Sequence, residues 1–447
     1  MQRRAKIRAW LGAAVAVAVL WGLTLASLPG TTPESGSTGG PGQPLGAVSP
    51  APHVGDADRA DAVTDLLKRR AQAVLTRDEQ SFLATIDPKA APEFVAAQRR
   101  LFTNLAGVPF DEWSYRLNPD DTLDVSGLTD SAELADELWA PAVDLRYALR
   151  GADLIPTDRA MGYLFARQGD TWYLRSDTSL DGLGRRTWRG PWDFAPCVVT
   201  TTESGIILSH PGSEPMVDRL VRDLDSSVRA VSELWPTSWS QRVAVMLPDS
   251  PGEMRALVGP DFPVESVVAV AVADRVDNKT RTVAGQRVVL SPSGVRALSI
   301  ASLRIVLRHE ITHLAARADT VDGSPTWLLE GFADYVGYRD SGVTLAEGAP
   351  DLAKAVRQDG PPAALPEDRA FRSRGPELDL AYQQSWSLAR YIADRHGEQA
   401  LIAVYRELAG AGPVSASETD RMLREVIGVD RAALVAGWQS YLRETLK

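Results

Sequence analysis

The sequence predicts an α+β protein: an apolar N-terminal helix followed by two folded units. Three observations carry this. Helical spacing between residues 63 and 105 gives way to alternating strand patterns between 113 and 175, so helices and strands are segregated rather than interleaved. Short apolar strands recur between 198 and 290, and a helix-forming stretch free of Gly and Pro follows from Ala297 to Ala318. The 447 residues are enough for two or three domains at about 100–200 residues each. The segments read as 1–28, an anchor or signal; 29–56, a linker; 57–190, a first domain; and 191–447, a second.

Composition narrows the chemistry. The chain is 44% hydrophobic and 24% charged, ordinary for a folded protein. A single cysteine, Cys197, excludes an internal disulfide, a Cys-rich zinc site and an iron–sulfur cluster. Any histidine metal site must be built from His53, His210, His309, His313 and His396. The formal charge of -10 argues against a nucleic-acid partner.

Residues 9–28 hold 20 residues without a charge, about 30 Å as a helix, enough to span a bilayer. Arg3, Arg4, Lys6 and Arg8 precede them. This flank predicts a single membrane pass with a cytoplasmic N-terminus and an extracytoplasmic body. A cleaved signal peptide, releasing a secreted protein, is the alternative: Thr24 and Ala26 loosely fit a cleavage site. Residues 29–56 are Pro, Gly, Ser and Thr almost throughout, a composition too poor in apolar groups to fold, and His53 lies among them.

In the first domain, Val63, Leu66, Leu67, Ala71 and Val74 share a helix face. Phe82, Leu83 and Ile86 mark a short helix, and Phe94 to Leu105 another. Strand alternation follows at Trp113–Leu117, Val143–Tyr147 and Met161–Phe165. Thr171–Arg175 closes a hairpin across Gln168–Asp170. This order resembles the cone-shaped NTF2-like fold, which implies a spacer or a ligand-binding module. Asp144 and Arg146 are expected on a solvated strand face. Trp188 and Trp192 are expected to pack between the two domains.

The second domain carries the chemistry. Strands are expected at Val198–Thr200, Gly205–Leu208, Val243–Leu247, Val267–Ala273 and Gln286–Leu290, with a helix over Met216–Leu234. The last two strands bracket a polar loop, and either is a candidate edge for an extended peptide. On the helix over 297–318, Leu303, Val306, Leu307 and Leu314 mark the buried face. That helix carries His309-Glu310-Ile311-Thr312-His313. Residues i and i+4 lie about 40° apart around the axis and about 6 Å along it, so both imidazoles leave one face. That suits two nitrogens on one Zn2+ at about 2.0–2.1 Å. Glu310, one residue round, falls beside a zinc-bound water, whose proton it can take and pass to a leaving amine. At this composition such a pattern arises by chance in roughly 0.6% of chains.

A catalytic zinc needs a third protein ligand and one open position. His210 and His396 are available. Glu330, in Trp327-Leu-Leu-Glu-Gly-Phe-Ala-Asp-Tyr335, is the better candidate, reached through a turn at Gly323, Ser324 and Pro325. Asp334 lies one helical turn further on the same face, where it can take the second N–H of a ligand histidine.

These residues resemble the gluzincin metallopeptidases, the thermolysin-like group, and within it the bacterial peptidase MA-like branch. The resemblance rests on HEITH…WLLEGFADY and on the helix Tyr382-Gln-Gln-Ser385 to Tyr391, ending at His396-Gly397. It implies His309, His313 and Glu330 as metal ligands, Glu310 as the base and Asp334 behind a ligand. The chain departs from the clan's aminopeptidases: Leu329 precedes the ligand Glu330, and no G-x-M-E-N element is present. An endopeptidase acting on extracytoplasmic proteins or peptides is therefore expected. Tyr382 is the candidate donor to the tetrahedral oxyanion. Tyr335, Tyr338 and Tyr391 are expected in the core or at its rim, His396 as a helix-end residue, and His210 and Cys197 as structural. Helices over 400–408, 418–426 and 430–446 complete the domain, with Tyr405, Leu423, Val426, Leu434, Trp438 and Leu442 inward. The competing function is a non-catalytic envelope protein with a structural zinc site and a ligand-binding first domain. An open metal position favours the enzyme, and a fourth protein ligand the structural site.

Overall fold

The computed structural model describes residues 54–128, 135–236, 239–260, 262–264 and 267–446. The apolar segment 9–28 and the linker up to residue 53 lie outside them. Residues 54–56, expected in the linker, already belong to the first helix. Among the described residues, no helix is long and apolar enough to cross a membrane. The chain is mixed helix and strand, with the two largely segregated in sequence, as an α+β protein requires.

The first domain opens with α1 (Val54–Thr76), α2 (Glu79–Leu83) and α3 (Pro92–Asn104). Asp78 caps α2 by accepting from the Ser81 amide. Six strands follow: β1 (Phe110–Thr122), β2 (Glu137–Trp139), β3 (Pro141–Leu149), β4 (Thr157–Met161), β5 (Leu164–Gln168) and β6 (Thr171–Ser176). They form two three-stranded antiparallel sheets, β1-β3-β4 and β2-β5-β6. Met161–Phe165 is therefore not one strand. The chain leaves β4 at Met161 and enters β5, in the other sheet, at Leu164. Between them the Gly162 amide donates to Thr187 Oγ1 instead of a ladder. Asp144 and Arg146 make cross-strand ion pairs with Arg116 and Glu112 on the open face of their sheet. Trp192 is edge-on to Phe110, Tyr147 and Trp188, in a core cluster that the first domain shares with residues of the second.

The second domain is built on a five-stranded sheet. Its strands are β7 (Val198–Thr202), β8 (Gly205–Ser209), β9 (Val243–Met246), β10 (Ala269–Val272) and, after a small hairpin of β11 (Arg275–Asp277) and β12 (Thr282–Ala284), β13 (Arg287–Leu290). The order is β10-β13-β9-β8-β7, with β13-β9 and β9-β8 parallel and both outer pairs antiparallel. Of the two expected edges, only β10 is one; Val288–Leu290 lies inside the sheet, paired on both sides. The polar loop expected over 274–285 contains the β11-β12 hairpin.

Strand alternation explains why these strands read as unbroken apolar runs. Ile207, Val243, Val245, Ala269, Ala271, Val288 and Leu290 pack into the helical core of the second domain. Their neighbours Ile206, Leu208, Ala244, Met246, Val270, Val272 and Val289 pack into one core with the first domain. Four of the five strands are thus buried on both faces, β7 being the exception, and the two domains share a core.

The helices are α4 (Glu214–Leu234), α5 (Pro251–Val258), α6 (Ile300–Ala316), α7 (Thr326–Tyr338), α8 (Leu345–Gly348), α9 (Pro350–Asp359), α10 (Pro376–His396), α11 (Glu398–Ala411), α12 (Ala416–Ile427) and α13 (Arg431–Thr445). Helix α6 starts three residues later than expected because Ser299 caps it, accepting from the Ser302 amide. Tyr405, Leu423, Leu434, Trp438 and Leu442 are buried in the tail, and Val426 partly so.

His210, just past β8, ties the domain connection to α5. Its Nδ1 lies 2.9 Å from the Pro196 carbonyl and its Nε2 2.8 Å from Glu253 Oε1, so both ring nitrogens face acceptors. Burial lowers the imidazolium pKa, but Glu253, with Asp249 nearby, outweighs burial and raises it. A raised folded-state value means this stabilisation is fully present below about pH 6.5, the unfolded value, and fades as pH rises through the folded one. The difference in thermal midpoint between wild type and His210→Gln should therefore shrink on going from pH 6 to more alkaline solution; a constant difference contradicts the assignment.

Candidate metal centre

Three helices converge on one buried point. Helix α6 contributes His309, Glu310 and His313, α7 contributes Glu330 and Asp334, and α10 contributes Tyr382. Close approach of the helices makes this possible. A Cβ on Gly331 would lie 2.4 Å from the Ser385 carbonyl oxygen of α10, and one on Gly337 would lie 3.0 Å from the Ile305 carbonyl oxygen of α6. On the sheet side the small side chains of Ala269 and Ala271 let α6 lie against β10. The start of α7 is held from a distance: Asp368 accepts from the Thr326 amide at 2.9 Å.

The donor atoms form a compact triangle. His309 Nε2 and His313 Nε2 are 3.0 Å apart, and Glu330 Oε2 lies 3.3 Å from the first and 3.7 Å from the second. Three donors on a tetrahedral Zn2+ with bonds of about 2.0–2.1 Å stand roughly 3.3–3.4 Å apart. The observed triangle has that size. Glu330 Oε2 has no hydrogen-bond partner, although it is buried. A buried carboxylate oxygen left unpaired between two imidazole nitrogens fits a site that holds a cation. The three residues can therefore hold a metal ion, and among the described residues they are the one His/Cys/Asp/Glu cluster of this kind.

The surroundings orient the ligands. Asp334 Oδ1 lies 2.8 Å from His309 Nδ1, which fixes the ring with Nε2 turned to the triangle. Burial alone would raise the Glu330 carboxyl, but the facing imidazoles of His313 and His309 hold it down to about 2. The Tyr382 hydroxyl bonds to Glu330; burial and the Glu330, Asp334 and Glu310 charges push its pKa well up, so it stays protonated and able to donate. Phe371 packs edge-on against its ring.

Glu310 is fully buried, and neither of its oxygens has a hydrogen-bond partner. Burial, with the Glu330 charge adding to it, raises its pKa to about 8. No fourth protein ligand joins the cluster among the described residues. His210 is committed to Glu253, and His396 sits at the end of α10 against the Tyr391 ring. Cys197 is buried, with its thiol pushed up to about 12 mainly by burial. Tyr335 donates to Glu398, and Tyr338 stacks on Trp386.

The structure thus brings together all six residues singled out in the sequence. What the sequence reading missed is the packing that lets them meet: Gly331, Ser385, Ala269 and Ala271. An isolated glycine inside an apolar helix was the available signal for the first. No protein-family model matches the chain, and no curated protein matches it.

Gly331→Ala is expected to cost about 1–3 kcal/mol, because the obstacle is backbone and cannot rotate away. Chemical denaturation measures it; a stability equal to wild type would mean that α7 and α10 pack more loosely. Asp334→Asn should weaken metal affinity about 10–100-fold with the fold intact, read by competition with a chelator of known affinity.

Proposed function

We propose that the chain is a zinc-dependent metallopeptidase of gluzincin type, an endopeptidase that cleaves extracytoplasmic proteins or peptides. The observation that carries this reading is the three-donor triangle, with no fourth protein ligand among the described residues and with the unpaired Glu310 carboxylate beside it. A purely structural site has no use for an unpaired carboxylate in that place, and costs energy to keep it buried.

His309, His313 and Glu330 would hold Zn2+, which would supply Lewis acidity for peptide hydrolysis. The chain's own residues do the rest. Glu310 accepts a proton as the water oxygen bonds to the carbonyl carbon. It then returns that proton to the amide nitrogen as the C–N bond breaks, which leaves a carboxylic acid and an amine. Burial raises its proton affinity above that of a solvated carboxylate, which helps it hold the proton in transit. Tyr382 donates a hydrogen bond to the developing oxyanion. Asp334 keeps His309 in the tautomer that binds metal. The edge strand β10 offers free backbone groups to an extended substrate, next to Glu310.

The three helices of the first domain, the first of them packed against both sheets, support the NTF2-like reading of residues 57–190. The basic flank and apolar run of residues 1–28 support a body on the outer side of a membrane, or outside the cell if that segment is removed.

Three variants test the mechanism, with cleavage of an unfolded polypeptide and zinc content as readouts. Glu310→Gln should keep one zinc per chain and lose about 10²–10⁴-fold in turnover. Glu330→Ala should lose the zinc; full occupancy would exclude Glu330 as a ligand. Tyr382→Phe should keep the zinc and lose about 10²–10³-fold in kcat. Turnover unchanged in Glu310→Gln would refute the peptidase reading.

A further inference from the structure

The face of the sheet turned away from the metal centre is held to the first domain by more than apolar contact. Three ion pairs cross the boundary at the β10-β13 end of the sheet; one, Arg275 with Asp158 at 3.7 Å, is largely exposed, and the other two are buried. Arg287, which opens β13 opposite Val272 of β10, is forked by Asp153 at 2.5 and 2.8 Å, and both side chains are about 95% buried. Asp153 also accepts from the Leu149 amide, which fixes it in the turn after β3. Asp274, two residues past β10, is gripped from β4 by Arg159 and by the Thr157 hydroxyl.

The cations are stacked as well as paired. Arg159 lies 4.7 Å over the Trp188 ring, Trp188 stacks on Tyr147 at 5.6 Å, and Arg287 lies 6.0 Å over Tyr147. Guanidinium, indole, phenol and guanidinium thus form one continuous stack between the domains. A forked and stacked arginine has little freedom to move, so these contacts set position as well as affinity.

The position they set is that of β10. Its outward residues Val270 and Val272 share a core with the first domain, while Ala269 and Ala271 lie against α6 and share a core with Ile311, next to Glu310. Of the two edges of the sheet among the described residues, β10 is the one beside the metal centre. A strand with one unpaired edge has a ladder on one side only, and depends on its faces for the rest of its placement.

We propose that Asp153 and Arg159 are positioning residues of the peptidase site: by gripping Arg287 and Asp274 from the first domain, they hold the β10 edge in register for substrate beside Glu310. The first domain is then a working part of the substrate cleft rather than a spacer. This rests on the peptidase reading for its consequence, though not for its structural half.

The test uses the full chain and the double variant Arg159→Met/Asp274→Asn, which removes both members of a pair and leaves no lone buried charge. Amide hydrogen exchange in β10 should speed up about tenfold or more, with α10 to α13 unchanged. Zinc affinity should stay within about twofold, because no ligand or ligand partner is touched. KM for an unfolded polypeptide should rise about tenfold with kcat changed less than about threefold. Arg159→Lys keeps the charge and loses the planar group stacked on Trp188; it should show the same pattern more weakly, and it serves if the double variant does not fold. Unchanged exchange in β10, or equal acceleration in every element, overturns the clamp. Faster exchange in β10 with an unchanged KM overturns its role in substrate placement. A wild-type chain that binds zinc and cleaves nothing counts against the peptidase reading, while the exchange data still decide the clamp.

Discussion

Everything around α6 follows from one electrostatic constraint: three carboxylates and two imidazoles are packed into an apolar interior within a few ångströms of each other. Glu310, Glu330 and Asp334 would bring three negative charges there, and at most two protonated histidines could answer them. The pairs Asp334–His309 and Glu330–His309/His313 absorb part of this imbalance. Glu310 absorbs the rest by holding its proton up to about pH 8. A divalent cation in the triangle resolves the same imbalance more completely, since it neutralises the ligand carboxylate and Asp334 while both histidines bind as neutral bases.

That cluster can exist only inside a rigid frame. Buried charges tolerate little movement, because a partner lost in a low-dielectric site costs several kcal/mol. The frame has two parts. Helices α6, α7 and α10 touch backbone to backbone at Gly331 and Gly337, which removes slack between the elements that carry the ligands. The strands beneath α6 are buried on both faces, and the first domain forms their outer wall. The tryptophan-rich segment 188–192 belongs to this wall. Trp192 lies in the core shared by the two domains, and Trp188 lies in the stack that meets Arg159.

Elements with local signals were legible in the sequence. Helix α6 shows an unbroken helical pattern, and even its start is marked by Ser299, a cap that periodicity alone passes over. The hairpin of β5 and β6 is marked by Gln168-Gly169-Asp170. Where the sequence misled, two answers had the same local appearance. Met161–Phe165 alternates like one strand, but the chain changes sheets at Gly162, because the partner of the Gly162 amide is a threonine 25 residues away. Val288–Leu290 and Ala269–Val272 are both short apolar runs. Burial on two faces erases the alternation that separates an edge strand from an inner one, so only pairing identifies β10 as the edge.

By itself, the sequence determined that His309 and His313 leave one face of one helix with an acid beside them. That relation spans four residues and is dictated by the pitch of the α-helix. It also limited the third ligand to a few groups, Glu330, His210 and His396 among them. The tertiary structure decided which of them joins: α7 crosses α6 so that Glu330 completes the triangle, while His210 is drawn to Glu253 and His396 lies at the far end of α10. It also decided that Tyr382 reaches Glu330 and that the first domain grips the strand next to Glu310. Those relations join residues 17 to more than 100 positions apart. They are set by how close helices and sheets can approach, which depends on the shape of both partners and not on either segment alone.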